Sequence, residues 1–288
     1  MLKTRVVGVI VVKNGLVVQS ITFERYLPVG VPSIAVEYLN RWGIDEILLV
    51  DIDATTEGRP PQFDLIAEAA RWAQVPFAAG GGIRDIHDIE RIIRSGADKV
   101  VLNTVAVEQP SLVTEGARRY GAQCMVVSID ARRAGGRFEV FTRGARHATG
   151  RTPAEVARAA QDLGAGEIFL NSIDRDGMKT GYDVELIGPV AEAVHIPVIV
   201  CGGVGRPEHL LEGIRAGASA VAAANFFHYT EHSVAVAKRF LRASGAAVRM
   251  DTLVTYEGRE FDRDTRIAKV GDATLDHLRF EHIPEEVI

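Results

Sequence analysis

Short apolar runs alternate with longer amphipathic segments along most of the chain. The runs are continuous in Val, Ile, Leu and Ala and do not alternate with polar residues. This pattern is typical of parallel strands that are covered on their outer face. It predicts eight strands: Arg5–Val12, Glu46–Ile52, Val75–Ala79, Lys99–Asn103, Cys124–Asp130, Glu167–Ser172, Ile196–Cys201 and Ser219–Ala224.

The segments between the runs carry the signals of helices. Several have Ser, Thr, Asp or Pro at or beside the first turn and stop at a glycine, as at Gly43 and Gly217. Alternating strands and helices indicate an α/β fold with a parallel sheet. The clearest predicted helices are Pro32–Trp42, Gln62–Trp72, Asp85–Ser95, Pro153–Leu163, Pro207–Ala216 and, last, Glu231–Ser244.

An internal repeat selects a closed barrel over an open doubly wound sheet. The segment from Pro76 resembles the one from Pro197, and Glu46–Asp53 resembles Glu167–Asp174, both 121 positions apart. Two four-stranded halves close naturally into eight strands. We therefore predict a (β/α)₈ TIM barrel with a two-fold half-barrel repeat over residues 1–249, followed by a C-terminal extension, 250–288, of unassigned role.

Composition and charge exclude several classes of function. The 288 residues have a formal net charge of −5, which argues against a broad nucleic-acid surface. No apolar stretch has the length of a membrane helix. The histidines lack zinc-type spacing, and the two cysteines lie in apolar runs, as buried thiols do in a reducing cytoplasm. We expect a cytoplasmic protein with a small ligand and with no metal and no cofactor.

Two glycine clusters follow predicted strands, Gly80–Gly82 in the first half and Gly202-Gly203 in the second. Glycine lets a ligand approach the backbone closely, although for a single cluster a tight turn is the favoured explanation. Polar residues end the next strand in each half: Asn103 with Thr104, and Asn225. The repeat thus predicts two anion pockets and a ligand with a phosphate at each end.

Carboxylates at predicted strand ends are candidate acid/base groups. Asp130 is the sharpest candidate, because it closes an otherwise apolar strand and burial would raise its pKa. The half-barrel repeat places Val11 at the equivalent position of the first half. The other strand-end acids are explained equally well as loop caps or salt bridges: Asp51, Asp53, Asp174 and Asp176.

Four charged residues begin four strands: Arg5, Glu46, Lys99 and Glu167. For an arbitrary barrel, the favoured interpretation is a salt-bridge layer that closes the amino-terminal mouth, since that face normally serves stability.

Together these residues resemble the cyclase subunit of imidazole glycerol phosphate synthase, the HisF family, from Met1 to about Arg249. The motifs that carry the resemblance are Asp51-Ile-Asp-Ala-Thr, Gly80-Gly-Gly-Ile, Gly96-Ala-Asp-Lys-Val, Asn103-Thr, Ser128-Ile-Asp, Gly164-Ala-Gly-Glu-Ile, Ser172-Ile-Asp-Arg-Asp-Gly, Lys179-Thr-Gly-Tyr-Asp and Gly202-Gly.

The resemblance implies a HisH-like glutaminase subunit docked at the amino-terminal face, with the four charged residues gating an ammonia tunnel. It implies catalytic aspartates at position 11 and at Asp130. It also implies a bis-phosphorylated ligand, bound by residues that match Gly82, Asn103, Thr104, Asp176, Gly177 and Gly203. The glycine repeat adds Gly81, Gly202 and Asn225 to the predicted phosphate-binding residues.

The sequence departs from the family at two of these positions. Val11 replaces the first aspartate, and Gln19 replaces a phosphate-contacting lysine. Asn171, Cys201 and Tyr26–Gly30 resemble a divergent branch associated with amidation of surface-polysaccharide sugars. Three functions remain open: an ammonia-conducting barrel for such an amidation, a cyclase whose missing acid is replaced by Asp51 or Asp176, and a non-catalytic activator of the glutaminase.

Overall fold

Eight parallel strands close into a barrel in the computed structural model, which describes residues 3–229, 232–262 and 266–268. Closure follows because the last strand pairs with the first and because the two middle strands pair with each other. The TIM barrel prediction is confirmed. The barrel strands are β1 Arg5–Lys13, β4 Glu46–Asp51, β5 Phe77–Gly80, β6 Lys99–Leu102, β7 Met125–Ala134, β10 Glu167–Ser172, β11 Val198–Cys201 and β12 Ala220–Ala223.

Helices surround the barrel, and capping residues fix where several of them begin. Thr152 and Glu155 form a capping box at the start of α6, and the Asp85 carboxylate accepts two backbone N–H groups at the start of α3. The helices are α1 Pro32–Arg41, α2 Phe63–Ala70, α3 Ile86–Arg94, α4 Thr104–Glu108, α5 Ser111–Tyr120, α6 Pro153–Asp162, α7 Val184–Ala193, α8 Pro207–Arg215, α9 Asn225–Tyr229 and α10 Ser233–Ala243.

The predicted elements are recovered with shifts at their ends. Val75 and Ile196 precede their strands, and Cys124 lies in a 3₁₀ turn before β7. Each of the first two is followed by a proline, which has no N–H to donate to a neighbouring strand. The predicted Glu231–Ser244 helix becomes Ser233–Ala243, with residue 231 outside the described part of the chain.

Two antiparallel hairpins, which the sequence pattern did not predict, extend from the carboxyl ends of β1 and β7. Hairpin 1, residues 14–30, contains β2 Leu16–Ile21 and β3 Arg25–Gly30. Hairpin 2, residues 135–148, contains β8 Arg137–Thr142 and β9 His147–Ala148. The turns that open them place Asn14-Gly15 at φ 51° and 76°, and Gly135-Gly136 at φ 56° and 84°. Positive φ at both central residues is the signature of type I′ hairpin turns.

The strand register confirms how the two halves correspond. Val11 on β1 lies opposite Val50 on β4, and Asp130 on β7 lies opposite Asn171 on β10. Val50 and Asn171 are themselves 121 positions apart. Val11 is therefore the first-half equivalent of Asp130.

The apolar residues form two separate clusters, one inside the barrel and one between the strands and the surrounding helices. Along β1, Val7 and Val9 face the interior, whereas Val6 and Ile10 pack in the outer core. Small side chains are frequent inside. The inner cluster consists of Val7, Val9, Leu48, Ala78, Val101, Val126, Phe169, Ile199, Cys201, Ala220 and Ala222, with Val11, Val50 and Ala224 packed against it.

The start of the C-terminal extension packs along the outside of the barrel. The Leu253 N–H donates to the carbonyl of Arg41 at 3.1 Å, and the Arg239 guanidinium lies 3.6 Å from the Phe261 ring centroid. Residues 263–265 and 269–288 of the predicted extension lie outside the described residues. Within the described ranges, no helix combines the length and apolar character that crossing a membrane requires.

Candidate ligand-binding and catalytic site

A cavity of about 480 Å³ opens at the carboxyl ends of the barrel strands. Active sites of this fold lie at this face. Strand ends and both hairpins contribute to its wall. The lining includes Val9, Val11, Lys13, Ser20, Phe23, Tyr26, Asp51, Asp53, Thr55, Thr56, Gly81, Gly82, Asn103, Thr104, Asp130, Arg132, Gly144, Ala145, Arg146, Phe169, Asn171, Asp176, Cys201 and Ala224.

Asp130 combines burial with amide contacts. The residue is 9% exposed, and Asn103 Nδ2 donates to its Oδ2 at 3.1 Å. Burial raises the pKa of Asp130 to about 7, and the nearby charge of Asp176 adds to the rise, while hydrogen bonds from Asn103 and Asn171 partly oppose it. A carboxyl group with such a pKa can give and take a proton near neutral pH.

The position equivalent to Asp130 is part of an apolar wall. Val11 lines the cavity beside Val9 and Val50, and all three belong to or pack against the inner apolar cluster. Asp130 therefore faces the cavity without a carboxylate partner from β1.

Asp51 is held in an ion pair. Its two carboxylate oxygens accept from Arg59 at 2.6 and 2.9 Å, and Gln62 Nε2 donates to it at 2.7 Å. Burial alone would raise the pKa of Asp51, but the hydrogen bonds from Arg59 and Gln62 outweigh it, so the pKa is lowered. Asp51 is therefore a poor proton donor.

Asp53 and Asp174 form salt bridges and accept backbone N–H groups, as expected for structural carboxylates. Asp53 pairs with Lys13 at 2.6 Å and accepts the Asn14 N–H at 2.8 Å. Asp174 lies 3.6 Å from Arg132 and accepts the Arg133 N–H at 2.8 Å. Both carboxylates therefore fix the base of a hairpin.

The first-half pocket, made of Thr55, Gly81, Gly82, Asn103 and Thr104, forms one side of the cavity. The Gly82 N–H donates to Thr55 Oγ1 at 3.3 Å. Gly81 has φ 108°, and a Cβ there would lie 2.2 Å from the Asp51 carbonyl oxygen, so the turn requires glycine. Hairpin 2 covers this pocket, since the Arg143 N–H donates to Thr104 Oγ1 at 3.0 Å.

The second-half pocket, made of Asp176, Gly177, Gly202, Gly203 and Asn225, is arranged differently. Asp176 lines the cavity, but the other four residues do not. Hairpin 1 lies against them: Asn225 Nδ2 donates to the Ser20 carbonyl at 2.8 Å, and Ser20 Oγ donates to Asp176 Oδ2 at 2.5 Å. Burial raises the pKa of Asp176, although the Ser20 hydrogen bond opposes the rise.

The four charged residues at the amino-terminal mouth meet as a charge layer, Arg5, Glu46, Lys99 and Glu167. Arg5 contacts Glu46 and lies 2.8 Å from Glu167, while Lys99 lies 2.7 Å from Glu46 and 2.8 Å from Glu167. Every cation thus contacts both anions, and Glu46 is only 1% exposed. The apolar interior begins directly inside this layer, because Val7 pairs with Glu46 in the strand register.

The sequence prediction did not include the residues that the hairpins bring to the cavity. Burial, with smaller contributions from Asp176 and Asp53, raises the pKa of Tyr26 to about 12. Arg146 also lines the cavity and has no acidic partner among the described residues. The Asn14-Gly15 and Gly135-Gly136 pairs were the available signal for both hairpins.

The comparisons with known proteins agree with this architecture. The profile of a family described as histidine biosynthesis protein matches residues 5–233. "Putative imidazole glycerol phosphate synthase subunit hisF2" of Vibrio vulnificus is 41% identical over 263 residues, which are 91% of this chain and 97% of that protein. "Imidazole glycerol phosphate synthase subunit HisF" of Exiguobacterium sibiricum is 43% identical over 249 residues, 86% of this chain and 100% of that protein.

Proposed function

Because the chain belongs to the histidine biosynthesis protein family, as a HisF-like cyclase-subunit barrel, we propose that it acts within a glutamine amidotransferase system. In this proposal a HisH-like glutaminase docks at the amino-terminal face and supplies ammonia through the barrel. The ammonia reacts with a phosphorylated ligand in the cavity, and the pathway is the amidation of a surface-polysaccharide sugar.

Val11 is the observation that favours this function over a histidine-pathway cyclase. The family resemblance implies two catalytic aspartates, and the structure has valine at the position equivalent to Asp130. A valine side chain cannot transfer a proton, and the loss of one acid/base group costs a factor of ~10²–10⁴ in rate. The neutral Gln19 on hairpin 1 removes a phosphate-binding cation as well.

The interior of the barrel supports an ammonia route. The charge layer separates solvent at the amino-terminal mouth from an inner cluster that is entirely apolar. An ammonium ion would lose its hydration there without a partner, whereas neutral ammonia crosses at much lower cost. The alanines at positions 78, 220 and 222 leave more room along the axis than larger side chains would.

Asp130 supplies the proton chemistry in this proposal. When the ammonia nitrogen forms a bond to an electrophilic carbon, one bond from that carbon to oxygen breaks and its electron pair moves to the oxygen. The nitrogen acquires a positive charge and must lose a proton. A carboxylate with a pKa of about 7 accepts that proton near neutral pH and returns it to solvent or to a leaving oxygen. Asn103 and Asn171 hold the carboxyl group through hydrogen bonds.

Asp176 is the observation that favours the cyclase as a second candidate function. It lines the cavity, and burial raises its pKa, so it could replace the missing first acid. Asp51 does not share this property, since Arg59 stabilises its charged form. The non-catalytic activator requires only the charge layer and the docking face.

Reconstitution with a class I glutaminase tests the three functions. We expect the barrel to accelerate glutamine hydrolysis, measured as glutamate formed, while the bis-phosphorylated ribonucleotide substrate of the cyclase yields no imidazole glycerol phosphate. Product formed at an ordinary enzymatic rate would establish the cyclase, and an unchanged glutaminase rate would exclude the coupling. Asp130→Asn should keep the glutaminase acceleration but abolish amidated sugar in the complete pathway, whereas a pure activator would retain it.

A further inference from the structure

We propose that Tyr26 on hairpin 1 is a catalytic residue, and that its hydroxyl group donates a hydrogen bond to the oxygen that receives the electron pair when ammonia attacks the ligand. This hydroxyl group supplies, from the β1 side of the cavity, the polar chemistry that the side chain of Val11 lacks. The inference adds a residue to the reaction of the proposed function and rests on that function.

Tyr26 lies at the strand that stands opposite the strand of Asp130. In the closed order of the barrel, three strands separate β1 from β7 on either side, so these two strands face each other across the axis. On β1, Val11 and Lys13 both line the cavity, and Lys13 Nζ lies 5.2 Å from the centroid of the Tyr26 ring. Residues two apart on a strand are separated by ~7 Å. The ring is therefore held beside the end of β1, just beyond Val11.

Hairpin 1 fixes the phenol in the cavity wall. The Tyr26 hydroxyl donates to the Phe23 carbonyl at 2.7 Å. The tip of the hairpin is itself anchored, because the Thr22 N–H donates to the carbonyl of Asp176 at 3.0 Å and the Phe23 N–H donates to its carboxylate at 3.3 Å. Rotation about the C–O bond of the phenol redirects the proton from the Phe23 carbonyl to a ligand oxygen without moving the ring. A donor positioned in this way needs little reorganisation when charge develops.

The groups around Tyr26 keep its hydroxyl protonated. Burial raises the pKa of Tyr26 to about 12, and the charges of Asp176, Asp53 and Asp130 add to the rise, whereas Arg146 partly opposes it. The phenol therefore still carries its proton at the pH near 7 where Asp130 titrates. A hydroxyl group that stays neutral can donate to a developing negative charge, and tyrosine serves in this way in oxyanion holes.

Tyr26 and Asp130 serve different atoms of the reaction. The lone pair of ammonia forms the new C–N bond, one bond from the same carbon to oxygen breaks, and its electron pair moves to that oxygen. The Tyr26 hydroxyl stabilises the negative charge there by a hydrogen bond and keeps its own proton. Asp130 takes the proton that the nitrogen loses, and this proton then passes to the same oxygen. No proton is gained or lost overall.

The rate of nitrogen transfer from ammonium tests the role of the hydroxyl group. The complete chain is incubated with ¹⁵N-ammonium chloride and with an extract of host cells that lack this chain, which supplies the acceptor. Mass spectrometry measures the ¹⁵N that enters sugar phosphates. We expect Tyr26→Phe to lower the maximal rate by a factor of ~10²–10³, the cost of removing one oxyanion donor. The ammonium concentration at half-maximal rate should change by less than about threefold, because Tyr26 contacts the oxygen and not the nitrogen.

Two further variants separate the hydroxyl group from the aromatic ring. Tyr38→Phe removes the same group from a half-exposed tyrosine of α1 outside the cavity wall, and we expect no change in rate. Tyr26→Leu removes the ring as well, and Tyr26→Phe should account for most of its loss. A slow Tyr26→Leu beside a full-rate Tyr26→Phe would assign the residue to ring contacts with the ligand and overturn the inference.

Amide hydrogen exchange separates a chemical role from a structural one. Tyr26→Phe loses one hydrogen bond to the Phe23 carbonyl, so exchange in hairpin 1 should become less than about tenfold faster. An acceleration of exchange as large as the loss of rate would mean that Tyr26 only holds the hairpin, and it would overturn the catalytic role.

The labelling experiment also separates this inference from the proposed function. Transfer by the wild type that Asp130→Asn abolishes supports the proposed function, and a slow Tyr26→Phe then supports the role of the hydroxyl group. Full-rate transfer by Tyr26→Phe would overturn the inference and leave the proposed function intact. No transfer by the wild type would refute both.

Discussion

The two halves of the barrel differ at equivalent strand ends: β4 of the first half ends at Asp51, and β10 of the second half ends at Ser172. The same comparison sets Val11 against Asp130 and Thr55 against Asp176. The backbone turns remain equivalent, because glycines with positive φ stand at 81 and 82 and again at 202 and 203. The two halves thus share their geometry and divide the polar chemistry between them.

The hairpins show that the halves do not work separately. Hairpin 1 belongs to the first half and binds Asp176 and Asn225 of the second. Hairpin 2 belongs to the second half and binds Thr104 and Glu108 of the first. Each pocket is therefore covered by an element of the opposite half.

The largest expected effect comes from replacing Asp51 at the end of β4 by serine, the residue that the second half has at the equivalent position, Ser172. Asp51→Ser removes the carboxylate that accepts two bonds from Arg59, one from Gln62 and two from backbone N–H groups, while Arg59 keeps its bond to Glu57. The loss of a buried carboxylate that accepts five hydrogen bonds lowers the free energy of unfolding by ~3–5 kcal/mol. Urea unfolding near pH 7.5 measures the loss.

Ser172→Ala is the matched control at the equivalent position. Ser172 Oγ is buried and makes no hydrogen bond among the described residues, so its removal should change the free energy of unfolding by less than ~1 kcal/mol. Equal losses in the two variants would mean that the halves are energetically alike at this position.

A second effect concerns the pH dependence of stability and separates Asp130 from Asp51. The pKa of Asp130 rises from an ordinary 3.8 to about 7 on folding, so the folded state binds more protons than the unfolded state between these values. Stability should fall by up to ~4 kcal/mol as pH rises through that window, and Asp130→Asn should remove the fall.

Melting temperatures of the wild type and Asp130→Asn between pH 4 and 8 check this expectation. The lowered pKa of Asp51 has the opposite sign, since its contribution to stability is lost only as pH falls below its ordinary range. A variant that is less stable than the wild type at pH 8 would refute a buried Asp130 with a raised pKa.

The smallest expected effect concerns hairpin 1. Asn225→Thr gives the second half the residue that the first half has at Thr104 and removes the 2.8 Å bond to the Ser20 carbonyl. The net value of one such hydrogen bond is ~1 kcal/mol. Amide hydrogen exchange should therefore become several-fold faster in hairpin 1 and stay unchanged in hairpin 2. Equal acceleration in both hairpins would show that this bond does not hold hairpin 1.

The fold could be predicted because its signals are local and repeated. Runs such as Glu46–Ile52 report burial on both faces, and the 121-residue offset reports closure. The charge layer could be predicted from the strand starts alone, because Arg5, Glu46, Lys99 and Glu167 each begin a strand. These residues come together in the structure as the sequence predicted.

The site was less predictable because its decisive contacts are between distant residues. Asp51 and Asp130 both end apolar strands. Asp51 contacts Arg59 and forms a salt bridge, whereas Asp130 has no such contact among the described residues and its pKa is raised. Ser20 and Asp176 are 156 positions apart, so no periodicity indicates that hairpin 1 lies in the second-half pocket.

The charge layer has two positive and two negative members, Arg5 and Lys99 against Glu46 and Glu167. Its formal charges sum to zero, so it neither collects cations from solvent nor repels them at a distance. Both cations come from the first half, and each half contributes one glutamate. Under the proposed function, ammonia that entered here would gain no electrostatic attraction and would have to arrive already neutral. The deprotonation of ammonium would then fall to the glutaminase that the proposal places at this mouth.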